Sequence, residues 1–323
     1  MFRHVLVPLD GSQLAEAILP VAQTFARTLD ATITLLHVVE PDAPTSVHGE
    51  PHLVSFASAE SYLENLAAQL RAKGLRVEVH VDHATSGLDA SARRAPILPG
   101  VRGDVSVVDA IFQHGGELSA DLIALTSHGR SGWAQAVYGS IAQRVLQRGT
   151  IPVLMLNAEE PTAPQTYICE KILVPLDSTP IYEEAFEVAA QLARAFHAGL
   201  ELVVVVPTTG TLSPERAATG TFLPTTTRAM LDLAQENATN YLKRKMERLA
   251  ADDLPARAQV LRGAIPTQIL AVAQQSGAQL IVMATHGRAG LDAFWSGSVA
   301  PQVLARARMP VLLLRVKGAE PLR

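Results

Sequence analysis

Apolar positions along this chain switch repeatedly between two periods. Val5-Leu6-Val7 and Ile172-Leu173-Val174 are short unbroken apolar runs, and each continues into Pro-Leu-Asp. Behind each run, apolar residues recur at helical spacing: Leu14, Ile18, Val21, Ala22 and Phe25 in the first case, Ala185, Val188, Ala189 and Leu192 in the second. Ser12 and Ser178 stand near the two helix starts as candidate N-caps. Second strands follow at residues 31–39 and 200–206, both rich in β-branched side chains. A proline- and glycine-bearing loop comes next in each half, then a helix near residues 58–73 or 226–250. Third strands are expected at 77–81 and 258–261, and third helices near 104–116 and 264–276.

The remainder repeats as well. Leu122-Ile123-Ala124-Leu125 and Leu280-Ile281-Val282-Met283 read as buried strands, and each runs into a glycine-rich loop and then a helix. In the first of these helices Ile141, Val145 and Leu146 should face inward and Arg144 and Arg148 outward. Val153-Leu154-Met155-Leu156 and Val311-Leu312-Leu313-Leu314 close the two halves.

Strands that alternate with helices give an α/β fold: two tandem doubly wound domains, each a five-stranded parallel sheet with helices on both faces. The first domain spans 1–157, a linker 158–170 and the second domain 171–316. Matching Gly103-Asp104 with Gly263-Ala264 makes the first half longer, and the excess is assigned to an insertion at 82–100, helical in part around 88–94.

Composition narrows the function. The 323 residues are 48% hydrophobic and 18% charged, which suits buried parallel sheets and not a disordered or nucleic-acid-binding chain. Net charge is −4, and the densest basic cluster, Lys243-Arg244-Lys245, reads as a solvated helix face, so no nucleic-acid partner is expected. The single cysteine, Cys169, leaves no intrachain disulfide and no cysteine metal cluster. No signal peptide and no membrane span is expected, and the cytoplasm is the expected compartment.

The chemistry lies in the two glycine loops. His128-Gly129-Arg130-Ser131-Gly132 runs on to Gly139-Ser140, and His286-Gly287-Arg288-Ala289-Gly290 runs on to Gly297-Ser298 at the same spacing. Glycine permits close approach of backbone to a ligand. A helix start presents free N–H groups and about half a positive charge, a natural seat for phosphate. Ser140 and Ser298 add a hydroxyl, Arg130 and Arg288 a full charge. In doubly wound sheets, ligands sit beyond the carboxyl ends of the strands where the winding reverses. If strands one and four are neighbours, Asp10 and Asp177 at the tip of strand one share that cleft with the loops. Each aspartate has two readings, accepting from a base or ribose, or satisfying loop amides and the first helix. Val38 and Val206 at the end of strand two either pack on an adenine ring or belong to the core. His128 and His286 are read as structural, since no Ser-His-Asp or Cys-His set accompanies them, and His37, which has no match in the second half where Val205 stands, as packed or solvated. No P-loop, dinucleotide fingerprint or two-metal carboxylate cluster is present, so no catalytic residue and no metal ligand is assigned.

Taken together, Val-Leu-Val-Pro-Leu-Asp, His-Gly-Arg followed by Gly-Ser, and a closing Pro-Val strand resemble the universal stress protein family. The resemblance spans nearly the whole chain twice, as in a tandem-domain member of the ATP-binding branch. It implies ATP, or AMP or ADP, as ligand, with Mg²⁺ accompanying the triphosphate. By position, Pro8, Leu9, Asp10 and Val38 would hold adenosine and Gly129, Arg130, Gly139 and Ser140 the phosphates. In the second half the corresponding set is Pro175, Leu176, Asp177, Val206, Gly287, Arg288, Gly297 and Ser298. The first glycine of the family motif falls at Thr126 and Ala284, a departure that bears on affinity and nucleotide choice. The resemblance also implies pairing of domains through their last strands, within or between chains.

The leading expectation is therefore a stress-response regulatory protein that binds an adenine nucleotide in one or both halves, with at most slow ATP hydrolysis. The rival is a nucleotide-free interaction or dimerisation protein acting through its apolar edge strands. A nucleotidyl-transferring enzyme on the same scaffold would need His-x-Gly-His or Ser-Gly-Gly motifs, which the sequence lacks.

Overall fold

The structure is a computed structural model. It describes residues 1–40, 46–47, 50–51, 53–83, 102–128, 140–148, 151–158, 166–177, 183–212, 223–286 and 299–316. The chain divides into two compact units, Met1–Tyr167 and Ile168–Arg323.

In the first unit the order is β1 (His4–Pro8), α1 (Gln13–Glu16), α2 (Leu19–Leu29), β2 (Thr32–Val39), a small hairpin of β3 (Ser46–Val47) and β4 (Glu50–Pro51), α3 (Phe56–Ala72), β5 (Arg76–His83), α4 (Arg102–Glu117), β6 (Leu122–His128), α5 (Ser140–Arg148) and β7 (Val153–Ala158). The main sheet runs β7-β6-β1-β2-β5, every pair parallel. In the second unit, β8 (Lys171–Leu176), α6 (Glu183–Phe196), β9 (Gly199–Val206), α7 (Pro224–Ala251), β10 (Ala256–Arg262), α8 (Ile265–Ser276), β11 (Leu280–His286), α9 (Val299–Leu304) and β12 (Val311–Val316) repeat the plan. Its sheet runs β12-β11-β8-β9-β10, again all parallel.

Right-handed crossovers in a parallel sheet whose winding reverses at strand one, as in both of these strand orders, place helices on both faces. Burial agrees: Val5, Leu6 and Val7 are consecutive, point to alternate faces, and are all fully buried. Phe25 of α2 and Phe186 of α6 are fully buried too, each contributing about 1.5–3 kcal/mol of transfer free energy.

The first helix departs from the expected continuous form. It breaks at Ala17 and Ile18, and Pro20 sits in the first turn of α2. Proline has no N–H to donate to the Glu16 carbonyl, so the ladder cannot continue. The second unit carries Glu187 at the matching place, and α6 runs unbroken.

The insertion also differs from expectation. Asp82 and His83 belong to β5. His83 and Arg262 end equivalent strands, so Gly263 follows its strand directly and is not the partner of Gly103. Two length differences of opposite sign are involved. The second unit has the longer long helix, 28 residues in α7 against 17 in α3, and the first unit is longer between β5 and α4. Residues 84–100, with the helical reading of 88–94, lie outside the described residues, as do linker residues 159–165.

Candidate functional site

The winding reverses between β1 and β6 in the first unit and between β8 and β11 in the second. Polar groups at the strand starts fix this adjacency. The Asp121 carboxylate accepts from the backbone N–H groups of Arg3 (2.8 Å) and His4 (2.9 Å), and Asp121 N–H returns a bond to the His4 carbonyl (3.1 Å). Gln279 does the same for the second unit, accepting from Lys171 N–H at 2.8 Å and donating to the Lys171 carbonyl at 3.0 Å. The carboxyl ends of strands one and four therefore lie side by side, with Pro8 ending β1, Leu9 and Asp10 just beyond it, and Thr126 buried near the end of β6. Pro175, Leu176, Asp177 and Ala284 take these places in the second unit.

The strand-one tip is tightly built. Asp10 Oδ1 accepts from Ser12 N–H at 2.9 Å and from Ser12 Oγ–H at 2.7 Å. Ser12 Oγ in turn accepts from Ala15 N–H at 3.1 Å, capping α1. These bonds are of the loop-satisfying kind, one of the two roles open to Asp10. Asp177 is exposed. His37 is 1% exposed. Its Nδ1–H donates to the Leu9 carbonyl at 2.7 Å, and its Nε2 lies 3.3 Å from the Leu53 carbonyl. Of the packed and solvated readings of this histidine the structure shows the packed one, and its contacts place it directly beneath the tip.

Strand register changes one correspondence between the halves. His4 pairs with Thr32 and Lys171 with Gly199; Pro8 pairs with Leu36 and Pro175 with Val203. The counterpart of Val38 is therefore Val205, not Val206, and the counterpart of His37 is Val204. A slip of one residue turns a strand side chain to the opposite face. Val38 and Val206 are both buried.

Gly129, Arg130, Gly139, Gly287, Arg288, Gly297 and Ser298 lie outside the described residues, as does Ser178. Ser140 opens α5, whose buried residues include Ala142, Val145 and Leu146. Ile141 and Arg144 are half-buried. The outward placement of Arg144 is thereby corrected: its Nη1 is enclosed and makes no hydrogen bond. A helical side chain leans toward the helix N-terminus, here toward Ser140.

One duplicated contact was missed from sequence. Tyr62 Oη–H donates to Glu16 Oε1 at 2.9 Å, and Tyr241 Oη–H donates to Glu183 Oε1 at 3.0 Å. Each bond ties the long helix to the first helix, just past the strand-one tip. The legible signal was a glutamate at equal spacing after Asp10 and Asp177. The second unit adds Lys245, paired with Glu183 and 4.5 Å from the Phe186 ring centroid. Burial, the hydrogen bond from Tyr241 to Glu183 and the charges of Glu183 and Asp177 all push the Tyr241 hydroxyl well above the ordinary tyrosine range.

A second polar cluster lies in the first unit. His114 Nε2 is 2.6 Å from Asp82 Oδ2, its Nδ1 is 3.2 Å from Glu117 Oε2, and its ring centroid is 4.4 Å from that of His80. Among the described residues no group of three or more potential ligands is arranged to hold a metal ion. No helix among them is long and apolar enough to cross a membrane.

The chain matches the universal stress protein family over residues 1–157 and again over 169–315. It is 26% identical over 314 residues to universal stress protein Rv2005c of Mycobacterium tuberculosis, covering 96% of each chain. It is 29% identical over 147 residues to universal stress protein MJ0531 of Methanocaldococcus jannaschii, which covers 45% of this chain and 82% of that protein. In structure it is similar to a universal stress protein from Archaeoglobus fulgidus, with a TM-score of 0.65 at 17% identity, over 97% of this chain and 96% of that one. A Pseudomonas aeruginosa protein, PA1789, gives a TM-score of 0.64 at 18% identity. Two such domains in tandem make this chain a member of the universal stress protein family.

Proposed function

We propose that the chain is a cytoplasmic stress-response regulator that binds ATP, or AMP or ADP, at the strand-one/strand-four cleft of one or both units. The observation that carries this reading is the adjacency of the strand-one tips at Asp10 and Asp177 to the strands that lead into the two glycine loops. This is the switch point at which doubly wound sheets take up ligands.

In this reading Pro8, Leu9, Asp10 and Val38 hold adenosine, and Gly129, Arg130, Gly139 and Ser140 surround the phosphates. Pro175, Leu176, Asp177, Gly287, Arg288, Gly297 and Ser298 do so in the second unit, with Val205 by register in the role first given to Val206. Thr126 and Ala284 stand where the family motif has glycine; both are small enough for backbone contact with ligand to persist. A buried guanidinium nitrogen without a partner costs free energy that an anion would recover, and Arg144 supplies one four residues into α5. Mg²⁺ is expected only as the companion of a triphosphate. With no nucleophile and base pair assembled among the described residues, turnover in this reading is at most slow hydrolysis.

We also propose self-association through β7 and β12, each the terminal strand of its unit's sheet, within or between chains. The test of the nucleotide reading is the ultraviolet spectrum and mass spectrum of nucleotide released from the purified chain by acid. An adenine nucleotide in near-stoichiometric amount supports it. Absence of nucleotide, together with failure of the chain to retain added ATP through gel filtration, favours the edge-strand reading.

A further inference from the structure

His37, Leu53 and Gly11 form a built support around the first unit's strand-one tip. The buried His37 ring fixes the Leu9 carbonyl at 2.7 Å, one residue before Asp10. Its other nitrogen lies against the Leu53 carbonyl at 3.3 Å, at the end of the loop that follows β2. The Leu53 side chain lies over Gly11, where a Cβ would come within 2.9 Å of Leu53 Cγ and Cδ1. Gly11 has φ +90°, a conformation that L side chains rarely adopt. From the other side, Leu9 N–H donates to the Leu36 carbonyl at 2.8 Å. The backbone around Asp10 is thus gripped from β2 and covered by Leu53. In the second unit Val204 replaces the ring, which removes both polar contacts, and Ser178 follows Asp177 where Gly11 follows Asp10.

We infer that His37 and Leu53 are positioning residues that preorganise the first unit's nucleotide site, and that the two sites of one chain therefore differ in affinity. This inference rests on the nucleotide reading above. A backbone already held in its binding geometry loses less conformational entropy on ligation. A glycine beneath Leu53 lets that side chain close directly on the tip. The first site is the tighter, and its ligand is an adenine nucleotide bound with Leu53 at the rim. His37 touches no ligand; it acts through the Leu9 carbonyl and the Leu53 segment.

The experiment uses the full chain, stripped of nucleotide. ATP is titrated into wild type, His37→Val (the second unit's residue), His37→Gln and Leu53→Ala, and imidazole nitrogen-proton correlation spectra are recorded before and after ATP. Two unequal affinities are expected in wild type. His37→Val should weaken the tighter one about tenfold, the loss of one buried hydrogen bond, and leave the weaker one unchanged. His37→Gln, whose amide donates in place of Nδ1, should recover part of that loss. Leu53→Ala should weaken the tighter site several-fold with the fold intact. The His37 Nδ1–H signal should be protected from solvent exchange and should move on ATP addition, which a purely structural histidine would not show. ATP binding by wild type with unchanged affinities in both His37→Val and Leu53→Ala overturns this inference and leaves the nucleotide reading standing. No binding by wild type overturns the nucleotide reading first, and this inference with it.

Discussion

Tyr241 donates a 3.0 Å hydrogen bond to Glu183, joining helices that lie far apart in sequence. The first unit repeats the bond between Tyr62 and Glu16. Its recurrence in two halves of diverged sequence marks it as part of the architecture that holds the first helix beneath the strand-one tip. The second copy is the more heavily charged, because Lys245 also pairs with Glu183.

The raised Tyr241 ionisation has a consequence with a definite sign. The folded value lies above the unfolded value of about 10, so the stabilisation is fully present below pH ~10 and is lost as pH rises further. Tyr241→Phe should be less stable than wild type at neutral pH by about 1 kcal/mol. The gap between the two proteins should narrow above pH ~10. Denaturant unfolding across this range checks it; a gap that stays constant or widens with alkali would contradict the assignment.

In the nucleotide reading the sites of the two units are separable by mutation. Gly139→Glu places a carboxylate at the start of α5 and should abolish nucleotide binding in the first unit. Asp177→Ala should weaken only the second unit, by about ten- to a hundredfold, the range for a hydrogen bond to a charged group. Site stoichiometry by equilibrium dialysis is the readout. Unchanged stoichiometry and affinity in both variants would remove the site assignment.

Arg144→Gln bears on phosphate alone. Gln302 already stands at the matching place in α9, so the change copies a residue the fold accepts. ATP affinity in the first unit should fall about tenfold and adenosine affinity should stay unchanged, because the lost interaction is with charge. Equal losses for both ligands would point to a packing effect of the arginine.

Much of this was legible in the sequence, for physical reasons that differ by element. The fold follows from buried strands such as Val5-Leu6-Val7 and Ile172-Leu173-Val174, whose flanking helical periodicity fixes the alternation. The adjacency of strands one and four was only a condition in the sequence, because strand order is a long-range property; the pairing of β1 with β6 and of β8 with β11 supplies it. The match of Val38 with Val206 failed because residues 203–206 are four valines in a row, with no polar residue to mark which face is which. The break at Pro20 was written in the chain, though helical spacing runs through it. The insertion was underestimated because a longer segment elsewhere in the second unit offset it. The Tyr–Glu pairs and the contact of His37 with Leu53 are long-range; the equal spacing of Glu16 and Glu183 after Asp10 and Asp177 marks one end of each pair, and local pattern does not name the partner.

His197 ends α6 with φ +55°, a left-handed conformation that costs a non-glycine residue about 1 kcal/mol. His197→Gly should raise stability by about 0.5–1 kcal/mol. Its first-unit counterpart Asp30 adopts φ 53° and is engaged by Arg76, so the same change there should gain less. Thermal unfolding of the two variants side by side checks the order.

Isothermal titration calorimetry of the nucleotide-stripped full chain with ATP tests the central claim most directly. The account predicts saturable heat from two unequal sites, the tighter of them lost in Gly139→Glu. Absence of any heat at high micromolar protein, with circular dichroism showing the fold intact, would contradict it.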